Sequence, residues 1–198
     1  MRRVAPIVVA AWVLVAVPAT AHAGCGYVQA AKAKRNVAKG PAPLAVGDSV
    51  MLLAVDPLAR VGFNVNARGC RQWHEGLAIL RRKKRLHRLP RLVVMALGTN
   101  WYITRDDIGR TRRLLGKKHT LALITPREPG GSYSGDATRI RAAGRAHPNR
   151  IKVIDWVRYS RGHGNWFGGD GIHLTYTGVT NYVRCIRRSL RWADGPSG

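Results

Sequence analysis

Residues 92–100 read Leu92-Val93-Val94-Met95-Ala96-Leu97-Gly98-Thr99-Asn100: six apolar residues that stop at a glycine and two small polar ones. A short, continuously apolar run without polar alternation is the pattern of a parallel strand covered on both faces. Working outward, four more short and mostly aliphatic or β-branched runs join it as strand candidates, at 44–47, 63–67, 120–124 and 151–154. Between and after them lie stretches with helical spacing, at 50–59, 73–87, 106–115, 137–146 and 176–192. In the last of these Val179, Val183, Ile186 and Leu190 recur on one face. Thr104, with Asp107 three residues later, has the form of a capping box opening the third helix. Strands alternating with helices predict an α/β fold, a doubly wound sandwich around a parallel sheet.

That architecture directs attention to the residues just past each strand, because open α/β sheets bind ligands beyond the carboxyl ends of their strands. Gly47-Asp48-Ser49 comes after the first strand and Asn66-Ala67-Arg68-Gly69 ends the second. Gly98-Thr99-Asn100 comes after the third, and a glycine-rich loop after the fifth leads to Asp170-Gly171-Ile172-His173. These residue types suit nucleophilic acyl transfer. A serine hydroxyl needs an imidazole to take its proton, and the imidazole needs a carboxylate to fix its tautomer. Ser49 is the candidate nucleophile, His173 the base and Asp170 its orienting acid. The oxyanion of the tetrahedral intermediate needs preorganised donors, for which the N–H groups of Ser49 and Gly69 and the side chain of Asn100 are candidates. Competing readings are a helix-capping Ser49, a turn-capping Asn100, and a metal set of His163, Asp170 and His173, although no zinc-type spacing recurs. Trp101, Tyr133 and Trp166 are candidate substrate contacts on an aromatic rim, with ordinary packing as the alternative. Gly131-Ser132-Tyr133-Ser134-Gly135 lacks the glycine spacing and preceding strand of a nucleophile elbow and reads as a loop.

Gly47-Asp48-Ser49, Gly69, Gly98-Thr99-Asn100 and Asp170-x-x-His173 resemble, in order, the four blocks of the SGNH (GDSL-like) hydrolases, over nearly all the chain after residue 44. The resemblance is closest to the exported SGNH domains associated with acyltransferase-3 membrane proteins. It implies a flavodoxin-like three-layer sandwich with a five-stranded parallel sheet of order 2-1-3-4-5. It also implies cofactor-free, metal-independent esterase or acyltransferase chemistry in a shallow, open site.

The chain has 198 residues, a one-domain length, with 34 Lys and Arg against 10 Asp and Glu, a formal net charge of +24. Arg2-Arg3, an apolar run to Val17 and the small-x-small Ala21-His22-Ala23 have the layout of a secretory signal peptide cleaved after Ala23. The expected organisation is therefore a signal peptide at 1–23, a linker or peripheral helix at 24–41, and the hydrolase domain at 42–198. Export demotes nucleic acid as a partner and favours an anionic cell-envelope polymer, while the bland reading of the basic residues is solvated surface. Of the three cysteines, Cys70 and Cys185 are the expected disulfide pair. The function expected is an exported serine esterase, a monomer, acting on O-acyl carbohydrate or other small esters. The alternatives are an O-acetyltransferase acting on cell-wall glycan and a non-catalytic basic cell-surface binding module.

Overall fold

The computed structural model describes residues 24–128 and 135–195. The expected signal segment at 1–23 and the candidate contact Tyr133 lie outside the described residues. The elements are β1 (Val28–Ala31), β2 (Leu44–Gly47), a 3-10 turn (Ser49–Ala54) running into α1 (Val55–Arg60), β3 (Asn64–Arg68), α2 (Trp73–Arg85), β4 (Leu92–Ala96) and α3 (Arg105–Leu115). Next come β5 (Thr120–Ile124), α4 (Gly135–Ala146), β6 (Ile151–Ile154), the single turn α5 (Trp156–Tyr159) and α6 (Tyr176–Arg187), which continues as a 3-10 turn (Arg188–Trp192).

The 92–97 run forms β4, buried along its whole length. Its alternate residues serve two cores. Val93 and Met95, with Leu44, Val46, Leu121 and Leu123, pack beneath α2, α3 and α4. Leu92, Val94 and Ala96, with Ala45, Val65 and Ala122, pack beneath α1, α5 and α6. Two-sided burial is why the sequence runs apolar without alternation. Thr104 caps α3 as its spacing predicts: its hydroxyl accepts from Asp107 N–H at 3.0 Å, and Asp107 accepts from Thr104 N–H at 3.0 Å.

The sheet corrects the five-stranded, all-parallel expectation. It has six strands in the order β1-β3-β2-β4-β5-β6, the last five parallel and β1 antiparallel to β3. The segment at 24–41, expected as linker or peripheral helix, thus contributes an edge strand, paired from Val28↔Arg68 to Ala31↔Val65. Its Ala/Lys-rich composition favours helix, but the open edge of β3 supplies hydrogen bonds that a free helix this short cannot match. Among the described residues no helix is long and apolar enough to cross a membrane.

The disulfide also differs from expectation. Cys70 pairs with Cys25, with Cα atoms 5.0 Å apart, and Cys185 is a free, buried thiol. Cys185 faces the core from α6, whereas β1 brings Cys25 directly beside the end of β3.

Candidate active site

Three strand ends and one loop converge on the carboxyl edge of the sheet. Gly47 closes β2, and Asp48 turns the chain: its carboxylate Oδ1 accepts from Val50 N–H at 3.1 Å, leaving Ser49 at the head of the 3-10 turn. The His173 Nε2 stands 3.0 Å from Ser49 Oγ, and its Nδ1 stands 2.5 Å from Asp170 Oδ2. With the ring proton on Nδ1, where Asp170 accepts it, Nε2 can accept from the serine hydroxyl. Asp170 Oδ1 also accepts from the N–H groups of Ile172 and His173, at 2.9 and 3.0 Å. Partial burial raises the Asp170 carboxyl, but the His173 ring and these two N–H groups outweigh it and hold it at about 2. Asp170 is thus an ionised partner at any ordinary pH. Both ring nitrogens of His173 are engaged, which leaves neither for a metal set with His163 and Asp170.

Other residues hold the loop that carries this pair. Arg127 Nε donates to Gly171 O at 2.9 Å while its guanidinium stacks on the Phe167 ring at 3.9 Å. Gly178, in the first turn of α6, lies so close to Trp166 O that a Cβ there would come within 1.9 Å of it. Only glycine lets α6 approach this closely and carry the His173 loop to Ser49.

Of the expected oxyanion donors, Asn100 is the best placed by its own polarity: Nδ2 is buried and has no hydrogen-bond partner. It is held by the Gly98-Thr99-Asn100 turn, where Gly98 has φ of +122°. Ser49 N–H heads its turn. Gly69 departs from the expectation, because its N–H donates to Tyr27 O at 2.9 Å while its carbonyl accepts from Gly26 N–H at 3.2 Å. The pairing of β1 with β3 runs on past the strand and occupies the donor. Of the aromatic candidates, Trp101 is exposed and packs beside Tyr102 with ring centroids 5.3 Å apart. Trp166 is not on the rim: it is buried, stacked on Trp156 and His163.

Two further residues matter here, of which the sequence marks Asp48 only as part of the turn and does not mark Arg71. Asp48 is fully buried, and burial pushes its carboxyl up to about 6 against the lowering influence of Val50 N–H, Thr99 and His173. Arg71, also buried, donates to Gly47 O at 2.8 Å and Asn66 O at 2.7 Å and so ties together the ends of β2 and β3. Burial and Arg68 lower its guanidinium to about 10, with Asp48 opposing, so it remains a cation. In a chain with so many surface arginines nothing local marks Arg71 as a core one. Beside the nucleophile turn, Asp48, Val50, Thr99 and Trp156 line a cavity of only about 20 Å³, while Asp170 and His173 are half-exposed on the rim.

No family model matches the chain. It is 31% identical over 145 residues, 72% of this chain and 23% of the relative, to the peptidoglycan O-acetyltransferase OatA of Listeria monocytogenes. It is 28% identical over 167 residues, 82% of this chain and 27% of the relative, to the O-acetyltransferase OatA of Staphylococcus aureus. The chain therefore spans about a quarter of the length of these curated relatives. Among solved structures it is similar to the C-terminal catalytic domain of Streptococcus pneumoniae peptidoglycan O-acetyltransferase A, carrying a methylsulfonyl adduct. That match has a TM-score of 0.70 and 25% identity over 78% of this chain and 94% of that one. In fold the chain is similar to the SGNH hydrolases. The same SGNH fold is shared, at a TM-score of 0.62 and 20% identity, by the lipase/acylhydrolase of Enterococcus faecalis, over 79% of this chain and 98% of that one. This fold and these relatives support an enzyme acting on acyl esters.

Proposed function

We propose that this SGNH domain is an exported serine acyltransferase that moves a short acyl group, of the acetyl type, onto or off a hydroxyl of a cell-wall glycan. The observation that carries the reading is the unbroken chain Ser49–His173–Asp170, together with a buried Asn100 amide that has no partner. Ser49 Oγ attacks the ester carbonyl as its proton passes to His173 Nε2. The oxyanion accepts from Ser49 N–H and Asn100 Nδ2, two donors, because Gly69 N–H is engaged elsewhere. His173 then returns the proton to the departing alcohol, and an acceptor hydroxyl, deprotonated by the same imidazole, resolves the acyl-enzyme.

The cavity of about 20 Å³ beside Val50 has room for roughly one water-sized group, which favours an acetyl over a long acyl chain. The relatives named as peptidoglycan O-acetyltransferases favour a glycan acceptor. Plain hydrolysis is the second reading, favoured by the half-exposed His173 and Asp170, which give water access to the acyl-enzyme. A p-nitrophenyl acetate assay with and without a chitooligosaccharide acceptor separates the two: transfer yields acetylated oligosaccharide, hydrolysis only acetate. Ser49→Ala is expected to abolish both while leaving the fold intact. Wild-type turnover no greater than that of Ser49→Ala would instead make the domain a basic binding module at the cell surface.

A further inference from the structure

A groove of about 470 Å³ opens along the free edge of the sheet, where β6 pairs with β5 on one side only. It runs between α5 and the 3-10 turn after α6, and its walls carry Arg158, Arg188 and Arg191 together with Tyr159 and Trp192. The three arginines are exposed, and among the described residues none pairs with a carboxylate. The one acid in the groove, Asp155, is already saturated. Arg141 binds it through two nitrogens at 2.8 Å each, and it accepts from the Thr125 hydroxyl and Arg158 N–H at 3.1 Å each. The groove is therefore a cluster of unanswered positive charge.

Its cations are also preorganised. The Arg188 guanidinium lies 5.1 Å from the Tyr159 ring centroid, and that of Arg191 lies 4.6 Å from the Trp192 centroid. A guanidinium resting on an aromatic face keeps its edge N–H groups free, in the fork that matches carboxylate or phosphate oxygens. The volume lies within the ordinary range of small-ligand sites. The groove also communicates with the nucleophile side. Thr125, whose hydroxyl bonds Asp155, lines the cavity beside Asp48. Three interstrand steps of about 4.8 Å place β6 roughly 14 Å from β2.

We propose that this groove is a second binding site, one for a carboxylate- or phosphate-bearing group on the polymer whose ester is handled at Ser49. The polymer link rests on the acyl-transfer reading of the Ser49 site; the anion site itself does not. Calorimetric titration at 0.15 M salt with trigalacturonate and with tripolyphosphate tests it and tells the two anion chemistries apart. At least one probe is expected to bind wild type and Ser49→Ala equally, and to bind Arg188→Gln/Arg191→Gln about tenfold more weakly or less. The small neutral ester p-nitrophenyl acetate should be turned over unchanged by that pair. Where the glutamines impair folding, Arg188→Lys/Arg191→Lys keeps the charge and loses the fork, and should still weaken binding several-fold. The control Arg81→Gln/Arg82→Gln removes equal charge from the far end of α2 and should leave affinity within about twofold. Equal weakening by both glutamine pairs, or no binding of either probe, overturns the proposal. Loss of wild-type ester turnover with groove binding intact would overturn the acyl-transfer reading alone.

Discussion

Asn100 and Asp48 pose two forms of one electrostatic problem, a polar group held out of water. Asn100 Nδ2 has no partner within the protein, so it need break no existing hydrogen bond to meet an oxyanion. Asn100→Ala should therefore lower kcat about 10²- to 10³-fold with little change in KM, measured on p-nitrophenyl acetate. A fall in kcat of less than tenfold would remove Asn100 from the oxyanion hole. Asp48 is costly when charged. Its folded carboxyl titrates at about 6 instead of 3.8, so the folded state holds its proton more tightly than the unfolded chain. The stability from this group is full below pH 3.8 and is lost as pH rises through 6. A carboxyl raised from 3.8 to about 6 corresponds to a loss of about 3 kcal/mol. Urea unfolding between pH 4 and 7 should show that decline in wild type, superimposed on the titration of other groups. In Asp48→Asn the decline should be smaller by about this amount, and parallel profiles would contradict it. Ser49, Asp170 and His173 could be singled out because each sits in a short motif at a strand end or loop, and the fold sets these three within hydrogen-bond distance in series. Arg71 and the buried environment of Asp48 could not, since both depend on side-chain burial that no neighbouring residue announces.

At the scale of elements, β2, β4 and β5 could be read because burial on both faces is written into each one as an apolar run. The edge strand could not. β1 has the exposed, alternating pattern of a one-sided strand, and its Ala/Lys composition only becomes a strand against the open side of β3. Every consequence of β1 was equally hidden: the Cys25–Cys70 bridge, the loss of the Gly69 donor to Tyr27, and the freedom of Cys185. The bridge closes a segment of 45 residues, for which chain entropy predicts a contribution of up to about 4 kcal/mol. Cys25→Ser should lower stability to urea by about 2–4 kcal/mol. Because Gly69 N–H is not one of the proposed oxyanion donors, the variant should retain ester turnover at temperatures where it is folded. Inactivity of a folded Cys25→Ser would mean that β1 positions the serine as well as the edge.

At the scale of the whole molecule, three helices share one charge polarity, and the fold explains how. Helices that connect parallel strands run back antiparallel to them, so α2, α3 and α4 begin at the catalytic edge and end at the opposite pole. Their first turns carry Glu75, Asp106, Asp107 and Asp136, and their last turns carry Arg82, Lys83, Lys84, Arg85, Arg112, Arg113 and Arg145. Each arrangement suits the helix dipole, but the basic pole exceeds what three helix ends require. Lys84 reaches Leu114 O at 2.7 Å and Arg150 reaches Gly116 O, which packs the basic loops against one another. Binding at this pole through many weak contacts summed along a polymer should discriminate by length and salt, where the sheet-edge groove discriminates by shape. Retention on an immobilised long polyphosphate chain should be strong at low salt and lost by about 1 M, where screening falls to roughly 3 Å. Lys83→Gln/Lys84→Gln/Arg85→Gln should elute earlier than wild type, and turnover of p-nitrophenyl acetate should be the same for both at every salt concentration. Retention unchanged by this triple substitution would assign the polymer contact to another face. Turnover that fell with the same substitution would mean that the pole acts on the chemistry, across the full depth of the sheet, and not on where the enzyme is held.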